Sequence, residues 1–207
     1  VTTLFTDAFT RADGTLDSTN WDTLTGEASL QIASNHLVPS AFNADNCDYV
    51  NSTGVASIPN DQWAQITLLN PTSSSGGGGE GIGIELRCAT AARTAYRCLA
   101  GNTTITFSKM TDSGTYSGVI ASATGLTIVA NDVLYAEVQG TTVIIKLNGV
   151  TKITQTDSSI ASGRFGIGHS SDTTGTPQLD DFTGGDFAGG AAAVAPSRRR
   201  TLVGAGV

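Results

Sequence analysis

The chain has 207 residues, of which 14% are charged and 25 are glycine, and its formal net charge is −7. That length suits one all-β domain plus an extension, and low charge with plentiful Gly, Ser and Thr suits short strands joined by tight turns. The acidity excludes nucleic acid as a natural partner of the domain, and no apolar run is long enough to cross a bilayer as a helix.

In chain order, LFTDAFTRADGTLDSTNW comes first, with Phe5, Asp7 and Phe9 on one strand parity. A carboxylate on a buried face needs a partner, so Asp7 is expected to meet an arginine, backbone N–H groups or a metal ion. Ala33-Ser34-Asn35 reads as a turn, and His36, at the start of the next strand, reads as a rim residue. In NADNCDYVN, Asp45 and Asp48 look like part of a loop leading into an edge strand. With Tyr49 they offer a sugar or metal site at a loop tip, or else a solvated turn.

QWAQITLLN (62–70) alternates as a half-buried strand does, and places Trp63 in the core alongside Trp21. SSSGGGGEG (73–81) reads as a loop and not as a phosphate cradle, because a strand, GIGIELRC (81–88), follows it. Cys88 and Cys98 flank a short hairpin-like segment that would permit a disulfide, while three cysteines are too few for a zinc site. Tyr116, in DSGTYSG, is the best-placed exposed aromatic for stacking on a sugar.

VLYAEVQG (133–140) and TVIIKLNG (142–149) alternate again, and Asn148-Gly149 is a strong type I′ hairpin signal. Together these segments give roughly a dozen strands, the number expected of two stacked sheets. The closing stretch GRFGIGHSSDTTGTPQLDDFTGGDF carries His169, read as a second rim histidine. It also carries Asp180 and Asp181, which should need partners as Asp7 does, tying the last strand to the first. Residues 188–207 form a Gly/Ala-rich linker and a basic arm, in which Arg198, Arg199, Arg200, Leu202 and Val203 would add to a partner sheet and pair with its acids.

TDAFTRADGTLDSTNW, YAEVQGTTVIIKLNGVTKITQTD and GRFGIGHSSDTTGTPQLDDFTGG resemble the concanavalin A-like lectin/glucanase superfamily, in its laminin-G-like branch of bacterial modules and phage structural proteins. The resemblance implies an all-β, two-sheet antiparallel jelly-roll sandwich over residues 1–187, followed by the extended C-terminal arm. It also implies a calcium ion near the terminal strands, for which Asp7, Asp180 and Asp181 are the matching positions. Glucanases of the superfamily set paired acids along one strand, a pattern missing here. Glu80 and Glu85 differ by an odd number, which puts them on opposite faces of a regular strand. No serine lies in a nucleophile elbow.

The expectation is therefore a non-enzymatic protein of a virion surface, such as a phage capsid decoration, held to capsid protein or to another copy of itself through the arm. The alternative is a carbohydrate-binding module of an extracellular or cell-surface protein that takes glycans. A degenerate glycoside hydrolase comes third.

Overall fold

The computed structural model describes residues 1–16, 18–41, 45–71, 81–89, 92–111, 115–170 and 176–187. Sixteen strands and no helix are found among them, arranged as two sheets. The first sheet runs β14 (Val150–Thr156), β13 (Thr142–Leu147), β12 (Asp132–Gln139), β7 (Gln62–Asn70), β16 (Gln178–Asp186), β5 (His36–Pro39), β4 (Leu30–Ala33), β2 (Gly14–Thr15). β1 (Thr2–Asp7) pairs with the C-terminal part of β16. The second sheet runs β11 (Thr115–Ala123), β10 (Ile105–Thr111), β9 (Thr94–Ala100), β8 (Ile82–Ala89), β15 (Arg164–His169), β6 (Asn46–Val50), β3 (Trp21–Thr23). All named strands pair antiparallel, as expected of a jelly-roll sandwich.

Alternation builds the core. Ala64, Ile66 and Leu68 of β7, Leu134, Ala136 and Val138 of β12, and Val143, Ile145 and Leu147 of β13 face Ile82, Ile84 and Leu86 of β8 and Phe165 and Ile167 of β15 in one cluster. Burying each large aliphatic chain contributes about 1.5–3 kcal/mol. The turns follow the sequence chemistry. Ser34 and Asn35 take φ of 54° and 61° between β4 and β5, and Asn148 and Gly149 take 51° and 77° between β13 and β14.

The terminal strands lie side by side, with Thr2 opposite Asp186 and Asp7 opposite Phe182. Phe5 and Phe182 each meet the Trp21 ring edge-on, with centroids 5.5 and 5.2 Å away. Asp7 fixes the corner that follows: its Oδ1 accepts from Phe9 N (2.8 Å) and Arg11 Nη1 (2.7 Å), and its Oδ2 from Trp21 Nε1 (2.8 Å). The arginine that Asp7 was expected to meet is Arg11. Arg164 instead donates to the backbone carbonyls of Val50, Asn51 and Val55.

The disulfide expectation is corrected: Cys88 and Cys98 are free and buried. β8 and β9 do form the hairpin, but Cys98 lies opposite Ile84, and a bulge between Leu86 and Ala89, with Arg87 at φ 52°, shifts the register. Cys98 then faces the core, while Cys88 joins a separate outer cluster with Leu24, Cys47 and Tyr49. The two sulfurs thus lie on opposite faces.

Candidate functional site

The outward face of the second sheet departs from the usual pattern of a sandwich, in which outward residues are polar and wet. One cross-strand row runs Val119, Ser108, Arg97, Glu85, Gly166, Tyr49, Asp22 from β11 to β3. Its ends are open, with Val119 38% exposed and Asp22 exposed, yet Ser108, Arg97 and Glu85 in the middle are at 0%, 1% and 0%. A parallel row, Ser122, Thr106, Leu99, Gly83, Gly168, Cys47, repeats the gradient: Ser122 is exposed and Thr106 buried. The result is a buried polar band across the outward face of the second sheet.

One guanidinium holds two of the carboxylates at this face. Arg97 donates from Nε to Glu85 Oε1 (2.8 Å), from Nη1 to Asp45 Oδ2 (3.0 Å) and from Nη2 to the carbonyl of His169 (2.9 Å). Glu27 and Arg93 form a second pair at 3.3 Å beside it. Burial pushes the Glu85 carboxyl up to about 7 against the pull of Arg97, and burial beside Arg97 pushes His169 down to about 4.

Glu85 Oε2, Thr106 Oγ1 and Ser108 Oγ are buried with no hydrogen-bond partner among the described residues. Leaving such atoms unmatched costs about 1–3 kcal/mol each. β15 supplies glycines where its neighbours come close: a Cβ added at Gly168 would overlap the Glu85 carboxylate, and one added at Gly166 would overlap the Asp48 carbonyl.

The predicted site residues scatter. Asp48 is not at a loop tip. It lies in β6, 1% exposed, and points between the sheets, where Oδ2 accepts from Leu30 N (2.5 Å) and Oδ1 from Thr23 Oγ1 (2.7 Å). Asp45 joins Arg97 instead, so the two aspartates serve different faces. Tyr49 is 7% exposed and packs in the outer cluster, which removes it as a stacking platform. Trp63 is buried as expected but on the outward parity of the first sheet, stacked on Tyr135 at 5.9 Å. His169 is fully buried, not a rim residue, and Asn46 Nδ2 meets its Nδ1 at 3.1 Å.

The terminal aspartates do not converge. Asp180 accepts from Asp181 N (2.9 Å) and lies 3.7 Å from His36 Nδ1, whereas Asp181 is exposed at a bulge with φ 52°. With the Asp7 oxygens already taken, this donor set does not fit a calcium ion, and among the described residues no group of three His, Cys, Asp or Glu side chains could hold a metal. The side chain of Tyr116, the segment carrying Glu80, and Arg198, Arg199, Arg200, Leu202 and Val203 of the arm lie outside the described residues.

Glu85 and Arg97 went unread as a pair, although a charge of each sign amid buried strands was visible in GIGIELRC and TAYRCLA. Counting out from the intervening turn sets Glu85 opposite Cys98, and only the bulge between Leu86 and Ala89 shifts the register to bring Arg97 opposite it.

No family model matches the sequence, and no curated protein matches it. Solved structures do. A Bacillus subtilis carbohydrate-binding module, CBM66, superposes with a TM-score of 0.62 at 20% identity, over 81% of this chain and 96% of that one. A galectin-like protein of unknown function from Bacillus subtilis gives 0.55 at 10%, over 89% and 96%. The exoplasmic/lumenal domain of VIP36, in a form bound to Ca2+ and mannose, gives 0.52 at 12%, over 81% and 83%. At these identities the likeness establishes a lectin-type jelly-roll fold and nothing finer.

Proposed function

We propose that the chain is a non-catalytic carbohydrate-binding domain that receives a glycan on the outward face of the second sheet. The observation that carries the reading is the set of unmatched polar atoms, Glu85 Oε2, Thr106 Oγ1 and Ser108 Oγ, gathered on that face. Sugars present dense hydroxyls, each able to donate and accept, which is the complement such a set needs. Likeness in fold to a carbohydrate-binding module and to a mannose-bound lumenal domain supports the same reading. It favours an extracellular or lumenal setting over a virion surface, for which neither the fold nor the comparisons give support.

Hydrolysis is disfavoured by the electrostatics. Glycosidases need two carboxyls flanking the scissile bond, one as acid and the other free to act as base or nucleophile. Here Glu85 and Asp45 are both bound to Arg97, and neither is left free for that second role. Incubating the purified protein on a glycan array and with the same glycans in solution tests both halves. Retention of a glycan class with no new reducing ends is the expected result; release of reducing ends overturns the non-catalytic half, and retention of no glycan overturns the binding half.

A further inference from the structure

We infer that Asn102 is an acceptor for an asparagine-linked glycan when the chain folds in a eukaryotic secretory lumen, and that Asn51, which opens the same kind of triplet, is not. A sugar attached at this turn does not depend on any sugar being held by the second sheet, so it stands apart from the glycan-binding reading. Transfer requires Asn-x-Ser or Asn-x-Thr with x other than proline. The chain has two such triplets, Asn51-Ser52-Thr53 and Asn102-Thr103-Thr104, while Pro71 disqualifies Asn70-Pro71-Thr72. Both end in threonine, so the sequence ranks them equally. In the reaction, the asparagine Nδ2 forms a bond to the anomeric carbon of an oligosaccharide carried on a polyprenyl pyrophosphate. The bond from that carbon to the pyrophosphate oxygen breaks, the pyrophosphate leaves with the electron pair, and one Nδ2 proton passes to a base of the transferase.

The fold separates the two. Asn51 is 7% exposed and its amide is occupied at both ends. Its Nδ2 donates to the Ser18 carbonyl (3.3 Å) and to Asp22 Oδ1 (3.2 Å), and its Oδ1 accepts from Thr53 N (2.9 Å) and Gly54 N (3.0 Å). A glycosylated amide keeps a single N–H, so one of the two acceptors loses its donor, and the first sugar would have to sit where the folded chain leaves almost no room. Asn102 lies in the connection between β9 and β10, partly exposed and followed by the exposed Thr103. The main chain there is pinned: Gly101 N donates to the Thr104 carbonyl, Ile128 N to that of Asn102 and Leu126 N to that of Thr103, each at 2.9 Å. The Asn102 amide, by contrast, makes no hydrogen bond among the described residues. A turn held by its backbone and not by this side chain keeps its shape when the side-chain nitrogen is substituted.

Expression of the full chain in eukaryotic cells behind a cleavable secretion leader tests this. Peptide N-glycosidase F, used in water enriched in a heavy oxygen isotope, converts each occupied asparagine to a labelled aspartate, which peptide mass mapping of the cell and medium fractions then locates. The expected result is label at Asn102 and none at Asn51 in protein that melts cooperatively. Thr104→Ala should abolish the glycan and melt within a few degrees of the parent, as changes at a surface turn do. Thr53→Ala removes the other triplet at an exposed position without replacing the Asn51 amide, and should leave glycan occupancy unchanged. Asn102 unlabelled in both fractions, label on Asn51 of the folded protein, or a glycan lost with Thr53→Ala would each overturn the inference. A glycan array probed with the deglycosylated protein reports on the binding reading separately, so the two can fail independently.

Discussion

Asp48 and Glu85 are both buried carboxylates, but only Glu85 has a counter-charge in contact. Asp48 relies on Leu30 N and the hydroxyls of Thr23 and Ser29, and burial pushes its carboxyl up to about 6. Its affinity for protons is then higher in the folded than in the unfolded chain. Stability should rise as pH falls from about 7 towards about 4, and the ionised form costs up to ~3 kcal/mol at neutral pH. Asp48→Asn keeps an acceptor for Leu30 N without the charge. It should be about 1–3 kcal/mol more stable than the parent at pH 7.5 and equal to it near pH 4 in denaturant titrations. Asp48→Ala leaves Leu30 N unmatched and should lose about 1–3 kcal/mol at low pH. This role was not legible in the sequence: residue parity says which side of a strand Asp48 takes, but not whether that side looks into the sandwich or into water.

At the scale of elements, hairpins were legible and faces were not. Asn148-Gly149 and Ser34-Asn35 announce their turns through residues that tolerate positive φ, and β7, β12 and β13 follow from alternation. In β8, β9 and β15 nearly every residue is buried, so periodicity gives no hint of which side is core. Gly166 and Gly168 of GRFGIGH make room for Asp48 and Glu85 and form no turn. Gly168→Ala would push the Glu85 carboxylate off Arg97 and should cost about 3 kcal/mol, as breaking a buried pair does. Gly140, at φ 56° with open space around it, has no such neighbour, and Gly140→Ala should cost only about 1 kcal/mol. Thermal melts of the two variants side by side would distinguish a packing role from a turn role.

Across the whole molecule, the pairing of β1 with β16 closes the first sheet and brings Phe5, Trp21 and Phe182 together. This arrangement could be read from the sequence, because an acid beside aromatics recurs at both ends. The buried polar row of the second sheet could not, since it arises from residues at positions 22 to 166 that meet only after seven strands have assembled. Removing residues 1–8 would strip the edge of β16, expose Phe182 and leave Trp21 Nε1 without its acceptor. The truncated chain should lose cooperative unfolding, whereas a chain ending at residue 187 keeps every residue of the core cluster and should melt within a few degrees of the parent.

Because Thr2 and Asp186 are neighbours across one antiparallel ladder, any polypeptide spliced to either end would leave from the same corner. A host protein could therefore carry the sandwich as a pendant on two adjacent tethers. Domain insertion, circular permutation and tandem duplication all become geometrically cheap for such a body.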